Sequence, residues 1–414
     1  MKLVCVAVLV ANLGAGIIIF FLGTYGEIGK CTSTYPSIKF KSETAKMYFS
    51  ADYFEAREKF LEVVRDSGAT TVENIKLSSA KGPNDEELFT DVVLFGPRDA
   101  KTFLVIVSGT HGVEGFAGSA IQVGLINEKV VSSPPDGIGI LLIHALNPYG
   151  MANGRRFNED NVDLNRNFRD HRATPPGNPH YEELASAIAP KSVSFRSEVV
   201  SWFSLLAYRA RHGDEAIQAA ITQGQNSHHD GLFYGGTSDA WSNTTLRSVA
   251  DRYLANSKRV VVVDVHTGLG AFGDYEIILN DPVASRVFRR ATDIWGEPVK
   301  STLPSGSVSD RSGSASAHVT GTLKRGVSAN LRGQVTAVSL EFGTLPPKQV
   351  FKALRAEGWL HHHGGMNHPK AQSIKKCLLH AFYPNSNDWK ASVWKQGRDV
   401  IEKALIWLED DPDK

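Results

Sequence analysis

A three-layer α/β/α domain built on a central mixed, largely parallel sheet is the architecture these residues predict, on three grounds. Four short runs, Phe103–Val107, Ile138–Ile143, Val260–Asp264 and Val335–Leu340, are apolar on both faces and rich in β-branched residues. Such runs are strands buried on both sides, as parallel strands covered by helices are. Helix-spaced stretches alternate with them: between Ala51 and Asp66, Tyr53, Phe54, Phe60, Leu61 and Val64 recur at helical spacing. The chain has 414 residues, 42% hydrophobic and 21% charged, with no repeat or low-complexity linker, so it can bury one large core.

The first element stands apart. Leu3 to Gly23 is apolar apart from Asn12 and small residues, and follows Lys2. Its length is about that needed to cross ~30 Å of hydrocarbon. Residues 1–30 therefore read as a signal anchor or signal peptide, and 36–414 as a single catalytic domain, membrane-anchored or in the secretory pathway rather than cytoplasmic. Asn243-Thr244-Thr245 is then a candidate glycosylation acceptor. The four strand-like runs end in polar clusters: Gly109-Thr110-His111, His144 to Pro148, His266-Thr267-Gly268 and Glu341-Phe342-Gly343. Ligands of open α/β sheets sit beyond the carboxyl ends of strands, so these clusters predict one shared site. Ser301 to Gly326, rich in Ser, Gly and Thr, reads as a long loop covering it. Gln225 to Gly236 reads as a structured loop that either packs or lines the pocket, and His361-His362-His363 as a helix end before Gly364-Gly365, since adjacent side chains diverge too far to chelate one ion.

Several classes are excluded. Forty-five basic against 44 acidic residues give a net charge of +1 and no field to attract nucleic acid. Cys5, Cys31 and Cys377 are too scattered for a disulfide framework or thiolate metal site, so a metal here must use His and carboxylate. There is no Gly-x-Ser-x-Gly elbow, and Ser305 and Ser307 sit in a loop-like context. His111-Gly112-Val113-Glu114 places an imidazole and a carboxylate three residues apart past a strand, and His266 ends another. Two His and one Glu form an open site for one Zn2+ ion, leaving a position for a water whose pKa falls towards ~7. Asp264, two residues before His266, can accept its other ring N–H.

These motifs join Asn147-Pro148-Tyr149-Gly150, Gly154-Arg155-Arg156-Phe157, the run Val162-Asp163-Leu164-Asn165-Arg166-Asn167-Phe168, and Ser339-Leu340-Glu341-Phe342-Gly343-Thr344. From Phe103 to Thr344 the order of motifs resembles the zinc carboxypeptidase superfamily, in an uncharacterised branch of it. The resemblance implies a zinc carboxypeptidase-like (phosphorylase/hydrolase-like) fold and hydrolysis of an amide next to a free carboxylate. It implies His111, Glu114 and His266 as zinc ligands and Glu341 as the general base. It also implies Arg156 as the oxyanion stabiliser, with Arg155 its rival, and Asn165 and Arg166 as a substrate-carboxylate clamp. The short interval from Arg156 to Asn165 resembles the succinylglutamate desuccinylase and aspartoacylase branch, whereas the long one from Glu114 to His266 resembles the peptidases. The substrate is accordingly a peptide or an N-acyl amino acid. Tyr275 and Tyr234 are candidates for a tyrosine closing over it. A catalytically silent membrane-associated binding protein is the alternative of another class.

Overall fold

A computed structural model describes residues 45–303 and 319–410, with positions 29, 31, 35, 36 and 38 besides. The apolar run Leu3–Gly23, Ser305 and Ser307 lie outside the described residues. No helix among the described residues is long and apolar enough to cross a membrane.

The strands are β1 (Thr71–Leu77), β2 (Leu88–Phe95), β3 (Thr102–Val107), β4 (Ile138–His144), β5 (Arg259–Thr267), β6 (Tyr275–Leu279), β7 (Val299–Ser301) and β8 (Gln334–Phe342). The helices are α1 (Tyr53–Arg65), α2 (Gly115–Asn127), α3 (Pro148–Ala152), α4 (Pro179–Ile188), α5 (Phe195–Thr222), α6 (Trp241–Tyr253), α7 (Arg286–Trp295), α8 (Leu323–Asn330), α9 (Pro347–Trp359), α10 (Ala371–Phe382) and α11 (Asn387–Glu409). One sheet runs β1-β2-β4-β3-β5-β8-β6-β7. The four runs legible in the sequence are its centre, β4-β3-β5-β8, and pair in parallel throughout. β2 is antiparallel to both β1 and β4, and β6 is antiparallel to β8. The sheet is therefore mixed, with a parallel core.

Alternate residues of each central strand feed two different cores. Leu104, Ile106, Val261 and Val263 face α1, α2 and α11 through Phe60, Ile121 and Val400. Val105, Val107, Val260 and Val262 face α6 and α8 through Leu246, Val249 and Val327. The complete burial of the Phe60 side chain is worth on the order of 2 kcal/mol. The helix carrying it starts where Asp52 accepts the N–H of Glu55, a cap worth roughly 1 kcal/mol. A third apolar cluster, from α4, α5, α9 and α10, includes Val113, between the two residues of the His-x-x-Glu motif that face the site.

Two expectations are corrected. The loop foreseen to Gly326 ends earlier, because Leu323–Asn330 is α8. Gly326 belongs there for packing rather than for turn-making: a Cβ on it would lie 2.6 Å from the Phe168 ring. Asn243 is no glycan acceptor, being fully buried in α6 with its amide donating to Asn167 and Asp239.

Candidate metal centre

The parallel core aligns the carboxyl ends of its strands, and register determines what meets there. His266 of β5 pairs with Glu341 of β8 in the ladder. Beyond β3, His111 precedes a single 3-10 turn, Gly112–Glu114, that leads into α2. This turn is pinned from outside: Gly112 N donates to Arg156 O at 3.1 Å and Val113 N to Arg155 O at 3.0 Å. The approach is so close that a Cβ on Gly112 would lie 2.0 Å from the carbonyl carbon of Gly150. Only glycine fits there.

The outcome is a buried cluster in which one atom each from His111, Glu114 and His266 lies within 4.8 Å of the others. Nδ1 of His111 is 3.0 Å from Glu114 Oε1, and Nδ1 of His266 is 3.0 Å from Glu114 Oε2. The outer ring nitrogens are held by other carboxylates, His111 Nε2 at 3.0 Å from Asp163 Oδ1 and His266 Nε2 at 2.6 Å from Asp264 Oδ2. Asp264 is itself fixed by the Thr110 hydroxyl at 2.6 Å. A carboxylate on Nε2 favours the Nε2–H tautomer and turns the Nδ1 lone pair inward, and at His111 Asp163 does so against Arg156 Nη2, which lies 2.9 Å from the same nitrogen. The donor set suits a metal ion: His111 Nδ1 is buried and, although close to Glu114, makes no hydrogen bond of proper geometry. Two imidazole nitrogens and a carboxylate are the ligand chemistry of an open zinc site.

Charge in the cluster is dense. Burial alone would raise the Glu114 carboxyl, but His111 and Arg156 beside it hold it well below the usual carboxylate range. Glu341 goes the other way, raised by burial and by the negative charge of Glu114. Its Oε1 accepts the N–H of Leu269 at 3.1 Å, which aims the carboxylate across the site.

The two arginines separate cleanly. Arg155 turns away, fully buried, with Nε on Glu357 at 2.9 Å and Nη2 on Asn161 at 2.8 Å. Arg156 enters the site, with Nη1 at 2.5 Å from Glu114 Oε1 and Nε at 3.2 Å from Asp163 Oδ2. Arg166 lines the same cavity, held by the carbonyls of Asn165 and Thr222, and its Nε is buried without a partner among the described residues. The Asn165 side chain accepts Leu323 N at 2.9 Å and lies 3.3 Å from His266 Nε2, so it ties α8 to the metal cluster.

The cavity over these groups is about 700 Å³ and extends along Leu205 and Ile217 of α5 and Phe351 and Leu354 of α9. Phe233, from the Gln225–Gly236 loop, lines it, whereas Tyr234 and Tyr275 do not. Tyr275 packs instead on Phe342. The three histidines His361–His363 form the π-helical turn that ends α9 before Gly365, away from the cavity. Sequence reasoning did not single out Asp163 as the partner of His111, nor Lys324 as a lining residue; no spacing rule links either to the site.

A family model described as "Protein of unknown function (DUF2817)" matches residues 49–396. No curated protein matches the chain in sequence. Among solved structures, the chain is similar to carboxypeptidase A from Helicoverpa armigera, with 11% identity over 80% of this chain and 73% of that one and a TM-score of 0.42. It is also similar to bovine thrombin-activatable fibrinolysis inhibitor, with 10% identity, 85% and 98% covered and a TM-score of 0.40. A metallo-carboxypeptidase from Burkholderia cenocepacia shows 10% identity, 87% and 70% covered and a TM-score of 0.39.

Proposed function

Since this chain belongs to the DUF2817 family, proteins of unknown function, its activity has to be read from the site, and we propose that it is a zinc-dependent hydrolase of an amide bond next to a free carboxylate, of the metallocarboxypeptidase type. The observation that carries this reading is the convergence of His111, Glu114 and His266, each histidine backed by a carboxylate, beside the buried Glu341.

His111 and His266 through Nδ1, and Glu114 through its carboxylate, would hold the ion. When bound, a zinc ion supplies Lewis acidity toward a carbonyl and lowers the pKa of a water. Glu341 takes the proton of the attacking water and returns it to the amide nitrogen as the C–N bond breaks. His266 and Arg156 favour its charged form, opposing the burial and the Glu114 charge that raise it. Arg156, kept in place by Glu114 and Asp163, adds positive charge where the oxyanion develops. Arg166, with an unused buried N–H on the cavity wall, receives the substrate carboxylate, and Asn165 positions this wall through Leu323.

The size of the cavity favours a peptide over a single small acyl amino acid, because ~700 Å³ exceeds what one small acid fills. The test is zinc content by elemental analysis, together with turnover of peptides and of N-acyl amino acids by wild type and Glu341→Gln. Stoichiometric zinc and a loss of about 10²–10⁴-fold in Glu341→Gln are expected. Folded wild-type protein that takes up no zinc would refute the reading.

A further inference from the structure

The cavity also holds a buried cation that the reaction above does not use. Lys324, in the first turn of α8, is 6% exposed and lines the cavity with Asn280, Thr302, Thr322 and Ser339. Its position is set at both ends. The preceding residue, Leu323, is tied through its N–H to Asn165, which lies against His266 of the candidate ligand cluster. Its Nζ donates to Ile278 O on β6 at 2.9 Å, and Ile278 is the ladder partner of Ser339, two residues before Glu341. The ammonium is thus fixed against the β6–β8 wall, next to the strand that carries the proposed base.

This cation is under-satisfied. An ammonium has three N–H donors, and one is used. Among the described residues no carboxylate pairs with it; Asp264, Glu341 and Asp281 act on it only at longer range. Asp264 is already engaged by Thr110 and His266, and Glu341 by Leu269 N. Burial accordingly depresses the lysine, to about 8. Two hydroxyls that line the same cavity, Thr302 Oγ1 and Thr322 Oγ1, are buried and also lack a partner among the described residues. A buried charge and two buried hydroxyls left unpaired are costly unless something they bind arrives. A carboxylate meets the need, since it is anionic and accepts from an ammonium and two hydroxyls at once.

We propose that Lys324, with Thr302 and Thr322, forms a subsite for a second carboxylate, so that the residue released on the amine side of the scissile amide is a dicarboxylic amino acid of the glutamyl or aspartyl kind. The inference rests on the hydrolase reading above: Arg166 takes the main-chain carboxylate, and Lys324 the side-chain one. The neutral isostere of such a residue, with an amide in place of the carboxylate, would bring a second pair of N–H donors to an ammonium that needs acceptors.

The experiment compares matched substrates ending in Glu and Gln, as peptides and as N-acyl amino acids, with zinc-loaded wild type, Lys324→Met and Lys324→Arg. Wild type should prefer Glu by roughly 10²-fold in kcat/KM, and this ratio should fall to within about 3-fold in Lys324→Met while Lys324→Arg retains part of it. A readout without turnover accompanies it: free glutamate should protect the wild type against thermal unfolding more than glutamine does, and this difference should vanish in Lys324→Met. If the wild-type Glu/Gln ratio is near one, or survives in Lys324→Met, the subsite is overturned, and the wild-type ratio decides even where the variant does not fold. Zinc- and Glu341-dependent cleavage without acidic preference overturns the subsite alone, whereas failure to cleave any substrate in either panel counts against the hydrolase itself.

Discussion

Glu357→Gln should destabilise the protein by about 3 kcal/mol at pH 7 while leaving every proposed ligand in place. Glu357 is fully buried in α9, and its Oε1 accepts from Arg155 Nε at 2.9 Å and from Lys375 Nζ at 2.7 Å. Glutamine keeps the shape and an acceptor but removes the charge, leaving two cations facing one another in a dry setting. Two routes give the magnitude. Removing one partner of a buried ion pair costs roughly 3–5 kcal/mol. Burial would raise the Glu357 carboxyl, yet the charges of Arg155 and Lys375 hold it down to about 2 from an ordinary 4.5, which at ~1.4 kcal/mol per decade is about 3 kcal/mol. The sign follows from the depressed pKa. The contribution is complete above pH 4.5 and is lost as pH falls towards 2, because only the unfolded state binds the proton in that window. Urea unfolding at pH 7, 4 and 3 measures it. The gap between wild type and variant should be widest at pH 7 and shrink by about 1.4 kcal/mol per unit below pH 4.5. A gap under about 1 kcal/mol at pH 7, or one unchanged down to pH 3, would refute the reasoning.

Zinc affinity should rise about tenfold per pH unit between pH 6 and 8. Burial would lower His266, but Asp264 and Glu114 raise it to about 10, so below that pH a proton competes with the ion for its ring, less as pH rises; a flat profile in chelator competition would contradict this. Asp163→Asn should weaken zinc binding by roughly 10–100-fold by the same assay, because it deprives His111 Nε2–H of its carboxylate; unchanged affinity would show that Asp163 does not orient the ring. Gly112→Ala should cost about 3 kcal/mol in thermal or urea unfolding, since its Cβ would meet the backbone of Gly150 and Met151 at 2.0 and 2.3 Å; a near-neutral variant would mean that the turn has room to shift.

The strands that build the site were legible because burial on both faces leaves a plain mark: runs of five or six residues that are mostly apolar, rich in β-branched side chains and almost free of charge. β3, β4, β5 and β8 carry that mark. β1 does not, since Thr71–Leu77 alternates half-buried and exposed residues at the sheet edge and reads as polar. Gly326 reads as loop by composition, and only its approach to Phe168 explains a glycine inside α8.

Within the site, what the residues alone determined is what lies close along the chain or at the end of a strand: the His111-x-x-Glu114 pair, His266, Glu341 and the Arg156–Arg166 stretch. Their spacing is local, so chemistry shows through it. Only the tertiary structure decided that Arg156 rather than Arg155 enters the cavity, because Glu357, 202 residues away from Arg155, claims the other guanidinium. It alone placed Asp163 on His111 and set His266 opposite Glu341, since parallel register between distant strands leaves no periodic trace in either one. Lys324 likewise looks like an ordinary surface lysine until α8 packs over β8 and β5 and its Nζ, on Ile278 O of β6, is removed from water, and the cost of burying that charge turns an unremarked residue into a candidate for reading the substrate.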